Sequence, residues 1–198
     1  IVTQSLYTIY IVGLNMILKI FTEDAVTVLG IYYKIQSFFF IPLLGFQQVL
    51  LPLFSYHYGA GDRHRNRDIL KCSMTFSVAI MTVATGIFFL FPEKLVQIFS
   101  TESAILAIGK YAFPVISISF VFAGLTIVIT SYLQGIAHIK SSLFIIVLRQ
   151  IVLLIPLAWV FHFIGLNAVW WTFPVTEIIA SMTGILIIVI LHKQDRTL

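Results

Sequence analysis

Six stretches of this chain are apolar for longer than a soluble fold uses, and the charged residues fall mostly in the gaps between them. Residues 72–92, 111–139 and 150–176 contain no Asp, Glu, Lys or Arg. A run of about 18 uncharged apolar residues is long enough to cross a hydrocarbon core of about 30 Å as a helix. A helix on a soluble core alternates with a polar face, and these runs do not. Segments such as Ile145-Ile146-Val147-Leu148 and Ile185-Leu186-Ile187-Ile188-Val189-Ile190 are apolar on every side. Strands of a membrane barrel alternate with period two, so a barrel does not fit. Backbone polar groups must be paired in lipid, and helices pair their own. The pattern predicts an all-α, polytopic membrane protein. Its helices are expected at about residues 1–20, 26–56, 69–91, 105–136, 142–163 and 168–191, a single six-helix transmembrane lobe over 1–198.

Helix two is over-long and holds Pro42 and Pro52, so it is expected to tilt, kink or extend into solvent. Residues 93–103 read as an interfacial stretch with Leu95, Val96, Ile98 and Phe99 on one side. The first run opens at residue 1 without a Met and without a basic start and cleavage site, so it reads as a span rather than a signal peptide. The chain is expected to start partway through a longer one.

Composition strengthens the class. The chain is 60% hydrophobic with a mean hydropathy of +1.03, above the soluble balance. Its net charge of +4 follows membrane topology and does not point to nucleic acid. One set of connections carries Arg63, Arg65, Arg67, Lys71, Lys140, Lys193 and Arg196, with Arg149 further in on the same side. The opposite set carries Lys19, Lys94 and Lys110. The bias places the arginine-rich linker, and with it both termini, in the cytoplasm. The lone Cys72 excludes an intrachain disulfide and a multi-cysteine metal site. The His residues are scattered singly, and no phosphate loop is present. No catalytic residue, metal site or cofactor is expected, and the chain does not read as an enzyme.

Ionisable groups inside the spans are the candidate chemistry, because burying them is expensive without partners. Lys34 and Glu177 both lie roughly 12–14 Å below the outer surface, placed to pair or to face a water-filled cavity. A cation or substrate site competes with a structural ion pair that pins two helices. Glu177 is the candidate for ion coupling. Arg149 lies roughly 11 Å from the inner surface and is expected to bond loop carbonyls or a carboxylate near the cytoplasmic end. Lys110 is near enough to the outer end to snorkel.

The amides Gln4, Asn15, Gln36, Gln47, Gln48 and Gln134 sit in apolar surroundings and must find partners. They read as interhelical glue or as a polar cavity lining. Helix two adds Tyr32, Tyr33, Phe38, Phe39, Phe40 and Phe46. An aromatic wall beside amides suits flat lipophilic cations. The expected substrate contacts are Gln4, Asn15, Tyr33, Lys34, Gln36, Phe40 and Gln47. Structural or gating roles are expected at Pro42, Gly45, Gly59, Gln134 and Arg149, since loosened helices are where transporters place hinges.

The stretch Gly45-Phe46-Gln47-Gln48 with Pro52 and Tyr56-His57-Tyr58-Gly59-Ala60 resembles a pattern of the multidrug and toxic compound extrusion (MATE) family, G-x-x-Q-x-x-x-P followed by Y-N-Y-G-A. Tyr132-Leu133-Gln134-Gly135 through Lys140, then Arg149 and Pro156, is similar to a second segment of that family. Residues 92–99 look like its outer amphipathic segment. The resemblance implies the second lobe of a twelve-helix transporter, with the N-terminal lobe missing. It implies a multi-pass protein of the cell inner (plasma) membrane that exports drug-like cations in exchange for sodium ions or protons. Departures are His57-Tyr58 where the family usually has Asn, and Ala137-His138 where it commonly has Gly. The first and fourth helices lack the acids that some members carry there. Coupling is then expected from the absent lobe or from a group such as Glu177. Two other functions compete: a flippase of lipid-linked oligosaccharides from the same superfamily, and a non-transporting half-size membrane protein.

Overall fold

Among the described residues all regular structure is helical, as unbroken apolar runs in lipid require. The structure, a computed structural model, describes residues 2–194, with side chains over 8–193. The helices are α1 Val2–Lys19, α2 Glu23–Gly59, α3 Arg63–Leu90, α4 Pro92–Gln97, α5 Ser103–Ser117 and α6 Ser119–Gly135. They continue as α7 Ile139–Val147, a π-helical segment Leu148–Leu153, α8 Leu154–His162, α9 Leu166–Trp170 and α10 Thr172–Gln194. By length and composition four stretches can cross a membrane: α2, α3, the run Ile139–His162 and the run Leu166–Lys193. The bent pair α5–α6 makes a fifth. Over its described side chains α1 is apolar but shorter, Thr8–Lys19. Arg196 lies outside the described residues.

Local chemistry sets the helix ends. The Thr22 hydroxyl accepts from the Ala25 amide at 3.2 Å, and Glu23 and Asp24 fill the first turn of α2, where negative charge suits the helix dipole. The Asp62 carboxylate accepts from the Arg65 amide at 2.9 Å and starts α3. At 37 residues α2 is about 55 Å long, well beyond a hydrocarbon core of about 30 Å. It stays one helix through Pro42 and Pro52, both on exposed positions.

The helix expected over 105–136 is instead two, bent by 41° at Ile118. Pro114 weakens the turn before the bend, and hydroxyls occupy carbonyls around it. Ser117 donates to the Pro114 carbonyl at 2.8 Å, Ser119 to that of Ile116 at 2.6 Å, and Thr85 of α3 to that of Ser117 at 3.0 Å.

Beyond the bend, α6 is the hub, buried along most of its length by α2, α3 and α10. Small residues allow the close approach. A Cβ on Gly124 would meet the Ser77 hydroxyl at 2.6 Å, and one on Gly135 would meet the Phe54 Cβ at 2.5 Å. One end of the core is aromatic: Tyr32 lies among Phe88, Phe113, Phe120 and Phe173. The other end gathers Leu50, Phe54, Leu70, Tyr132, Leu133, Ile145 and Ile188.

Candidate functional site

Between these two ends the bundle holds charge. Arg149 donates from Nε to Glu177 Oε1 at 2.8 Å, with side-chain exposures of 24% and 10%. Arg149 stands on the π-helical segment and Glu177 in the second turn of α10. Proline explains part of the local geometry. Pro156 has no N–H to give the carbonyl four residues back, and the extra-wide π turn lies just ahead of it. The widened turn carries Arg149 and Gln150 to the internal side of the bundle.

A polar cavity of about 30 Å³ surrounds the pair. Tyr10, Tyr33, Gln36, Ser119, Gln150 and Glu177 are among its walls, with Tyr32 and Phe173 at its aromatic edge. That is room for about two water molecules and far too small for a drug. Among the described residues, Glu177 Oε2, Gln150 Oε1 and Thr176 Oγ1 are buried without a hydrogen-bond partner. Buried acceptors of this kind are uncommon in native proteins. Here they gather beside one carboxylate and one guanidinium in the interior of the helix bundle.

The expected site residues divide. Tyr33, Gln36, Arg149 and Glu177 come together. Lys34 does not join them. It is exposed, with its ammonium 5.6 Å from the centre of the Phe99 ring, so the expected Lys34–Glu177 alternative gives way to Arg149–Glu177. Lys34 is one residue from Tyr33, and that step of about 100° on the helix turns it to the other side. Arg149 finds its carboxylate at the bundle centre and not near the membrane surface, because an eleven-residue advance along α9–α10 brings Glu177 to its level. Phe40 is a core residue, 8% exposed and edge-on to Phe120, and not part of a substrate wall. Asn15 and Gln47 are half-buried away from the cavity. The Gln4 side chain lies outside the described residues.

Gln134 donates to the Ser142 hydroxyl at 2.9 Å and bridges α6 to α7. Pro42, Gly45 and Gly59 lie on exposed positions, and a Cβ on either glycine would meet nothing within 4 Å. Lys110 is ion-paired with Glu93 of α4 at 2.6 Å on the surface. The sequence reading missed Tyr10, Ser119, Gln150 and Thr176. Gln150, next to Arg149 and ahead of Pro156, carried a signal; the hydroxyls carried none, since Ser and Thr occur throughout these helices.

Long apolar helices packed around a broken span, with a charge pair between them, define a multi-pass, all-α membrane protein. The chain belongs to the MatE family, whose model matches residues 1–160. It is similar to the multidrug export protein MepA of Staphylococcus saprophyticus, 25% identical over 182 residues, which cover 91% of this chain and 40% of that protein. MepA of a Staphylococcus aureus strain is 23% identical over the same shares. The fold matches an outward-facing multidrug resistance MATE transporter of the MOP superfamily with a TM-score of 0.88 at 20% identity, over 93% of this chain and 42% of that one. The MATE multidrug transporter DinF-BH, solved as a complex, matches with a TM-score of 0.81 at 27% identity, over 98% and 43%. This chain therefore spans about 40% of the length of the curated relatives it matches. The family is one of transporters, not of enzymes.

Proposed function

We propose that this chain is the second lobe of a secondary active antiporter that exports lipophilic, often cationic compounds from the cytoplasm by alternating access. The Arg149–Glu177 pair in its small polar cavity carries the reading. Likeness to multidrug export proteins along 91% of the chain supports the substrate class. The cavity is too small for the drug itself, so substrate would lie between this lobe and an N-terminal partner lobe. Asn15, Gln47, Lys34 and Gln4 remain the proposed contacts there, with Tyr33 and Gln36 linking that space to the ion pair. The protein would sit in the cell inner membrane with both termini cytoplasmic.

The pair also bears on the driving ion. A sodium ion beside Glu177 would lie close to the Arg149 guanidinium and be repelled by it. A proton neutralises the carboxylate and releases the guanidinium instead. The geometry therefore favours proton coupling through Glu177. A released Arg149 would move from the π turn that carries it, a kind of helix break frequent at functional sites.

The flippase reading has less support. It needs cations free for a pyrophosphate, yet Arg149 is paired with Glu177 and Lys34 lies over Phe99. The test uses inside-out vesicles holding the complete gene product and a fluorescent lipophilic cation. Uptake driven by a proton gradient, absent with sodium and lost in Glu177→Gln, is the expected result. Uptake in Glu177→Gln equal to wild type at every pH would remove Glu177 from coupling. No uptake under either gradient, with folded protein present, would reject the antiporter.

A further inference from the structure

At the arginine-rich end of the bundle a second pocket opens between the start of α3 and the end of α10. It holds about 240 Å³ and is lined by Arg67, Leu70, Lys71 and His192. We propose that this pocket binds the phosphate of an anionic membrane phospholipid, with the acyl chains running down the adjoining helices.

The cations converge by construction. Arg67 and Lys71 are four residues apart on α3 and so share a face. Like charges at that spacing repel, and a carboxylate between them would normally offset this. Among the described residues, neither nearby acid does so. Asp68 pairs with His64 at 3.1 Å, and Asp62 accepts the Arg65 amide at 2.9 Å as the helix cap. Among the described residues no carboxylate is ion-paired with Arg67 or Lys71. The third wall is fixed. His192 lies 2.9 Å from the hydroxyl of Tyr132, itself 4% exposed and edge-on to Phe54. Arg67 is half-buried and lines the pocket. A guanidinium and an ammonium around one opening suit a phosphate, which takes the first as a fork and the second as a point charge.

The surroundings point to lipid. α3 begins and α10 ends at this pocket, and both are long and apolar enough to cross a membrane. Basic pockets between spanning helices at a membrane surface collect anionic headgroups. The pocket floor, Leu70, belongs to an apolar cluster with Met74, Ile188 and Leu191. One and two turns below His192, Val189 and Ile185 are exposed on α10, where acyl chains would lie. A free phosphate ion needs none of that apolar wall.

The test is native mass spectrometry of the full-length transporter, equilibrated with phosphatidylglycerol, phosphatidylcholine or inorganic phosphate. Wild type should retain phosphatidylglycerol over phosphatidylcholine. Arg67→Gln/Lys71→Gln should weaken phosphatidylglycerol about thirtyfold, from about a fivefold share per cation. Arg65→Gln/Lys140→Gln removes the same charge from the same surface outside the pocket and should change little. The single variants Arg67→Gln and Lys71→Gln, each with a loss of about fivefold, carry the test if the double variant does not fold. Equal losses in pocket and control variants would reduce the effect to general surface charge and overturn the proposal. So would equal retention of phosphatidylcholine, or competition by inorganic phosphate at matching concentration.

Discussion

Removing one member of the Arg149–Glu177 pair leaves the other charge in apolar surroundings. Breaking a buried pair costs about 3–5 kcal/mol, whereas replacing both partners with apolar groups of similar volume is often neutral. Glu177→Gln and Arg149→Gln should each lower the thermal midpoint of the purified protein by several degrees. Arg149→Met/Glu177→Leu should recover most of that loss and still fail in proton-driven uptake. Recovery of both would make the pair purely structural. Ala137 gives a separate prediction. It ends α6 at φ 63°, with its amide donating to the Gln134 carbonyl at 3.1 Å and the next amide, of His138, to that of Leu133 at 2.8 Å. This is the left-handed helix ending that glycine usually occupies, and a Cβ there costs about 1–2 kcal/mol. Ala137→Gly should raise stability by about 1 kcal/mol after the added chain entropy is subtracted, read as a higher thermal midpoint.

Helix packing separates glycines that look alike in the sequence. Gly135 faces Phe54 Cβ at 2.5 Å and the Ser55 backbone nitrogen at 3.3 Å, so a methyl group must push α2 and α6 apart. Gly135→Ala should destabilise by about 1–3 kcal/mol. Gly45, on exposed α2 surface, should accept Ala with no loss. Comparing the two midpoints checks both. The helical class and the runs themselves were legible because lipid forbids unpaired backbone and permits few charges. Internal breaks were not. The bend at Ile118 depends on hydroxyls from α5, α6 and α3 meeting freed carbonyls, and Thr85 is 32 residues from the carbonyl it serves. The pairing of Arg149 was half legible: the charge was conspicuous at its depth, but its partner depended on how far α10 advances. Phe40 was misread because aromatic residues of α2 look the same whether they face a cavity or Phe120.

For the whole molecule, the asymmetry of basic residues becomes a topology prediction. Arg65→Cys in a Cys72→Ser background should react with a membrane-impermeant maleimide in inside-out vesicles and not in intact cells. The reverse pattern would invert the lobe and place the lipid pocket in the outer leaflet. Cys72 must go because it is exposed and free. At this scale the family was legible through motif order, whereas the internal cavity was not, since its walls come from α1, α2, α6, α8, α10 and the π segment together.

The π segment Leu148–Leu153 has a consequence for the length of the chain itself. A π turn accommodates one residue more than the α-turn it replaces, and each residue of an α-helix turns by about 100°. Deleting a single residue there, such as Ile151, would let the helix close into regular form with its two flanks still in phase, re-aiming only the residues of the widened turn, Arg149 among them. The α8 face would still pack on α1, while Arg149 would no longer point inward with it. One residue of surplus thus aims the charge and leaves the packing as it is. Loss of one residue at this point is the smallest change that would disconnect the ion pair without altering any side chain that forms it.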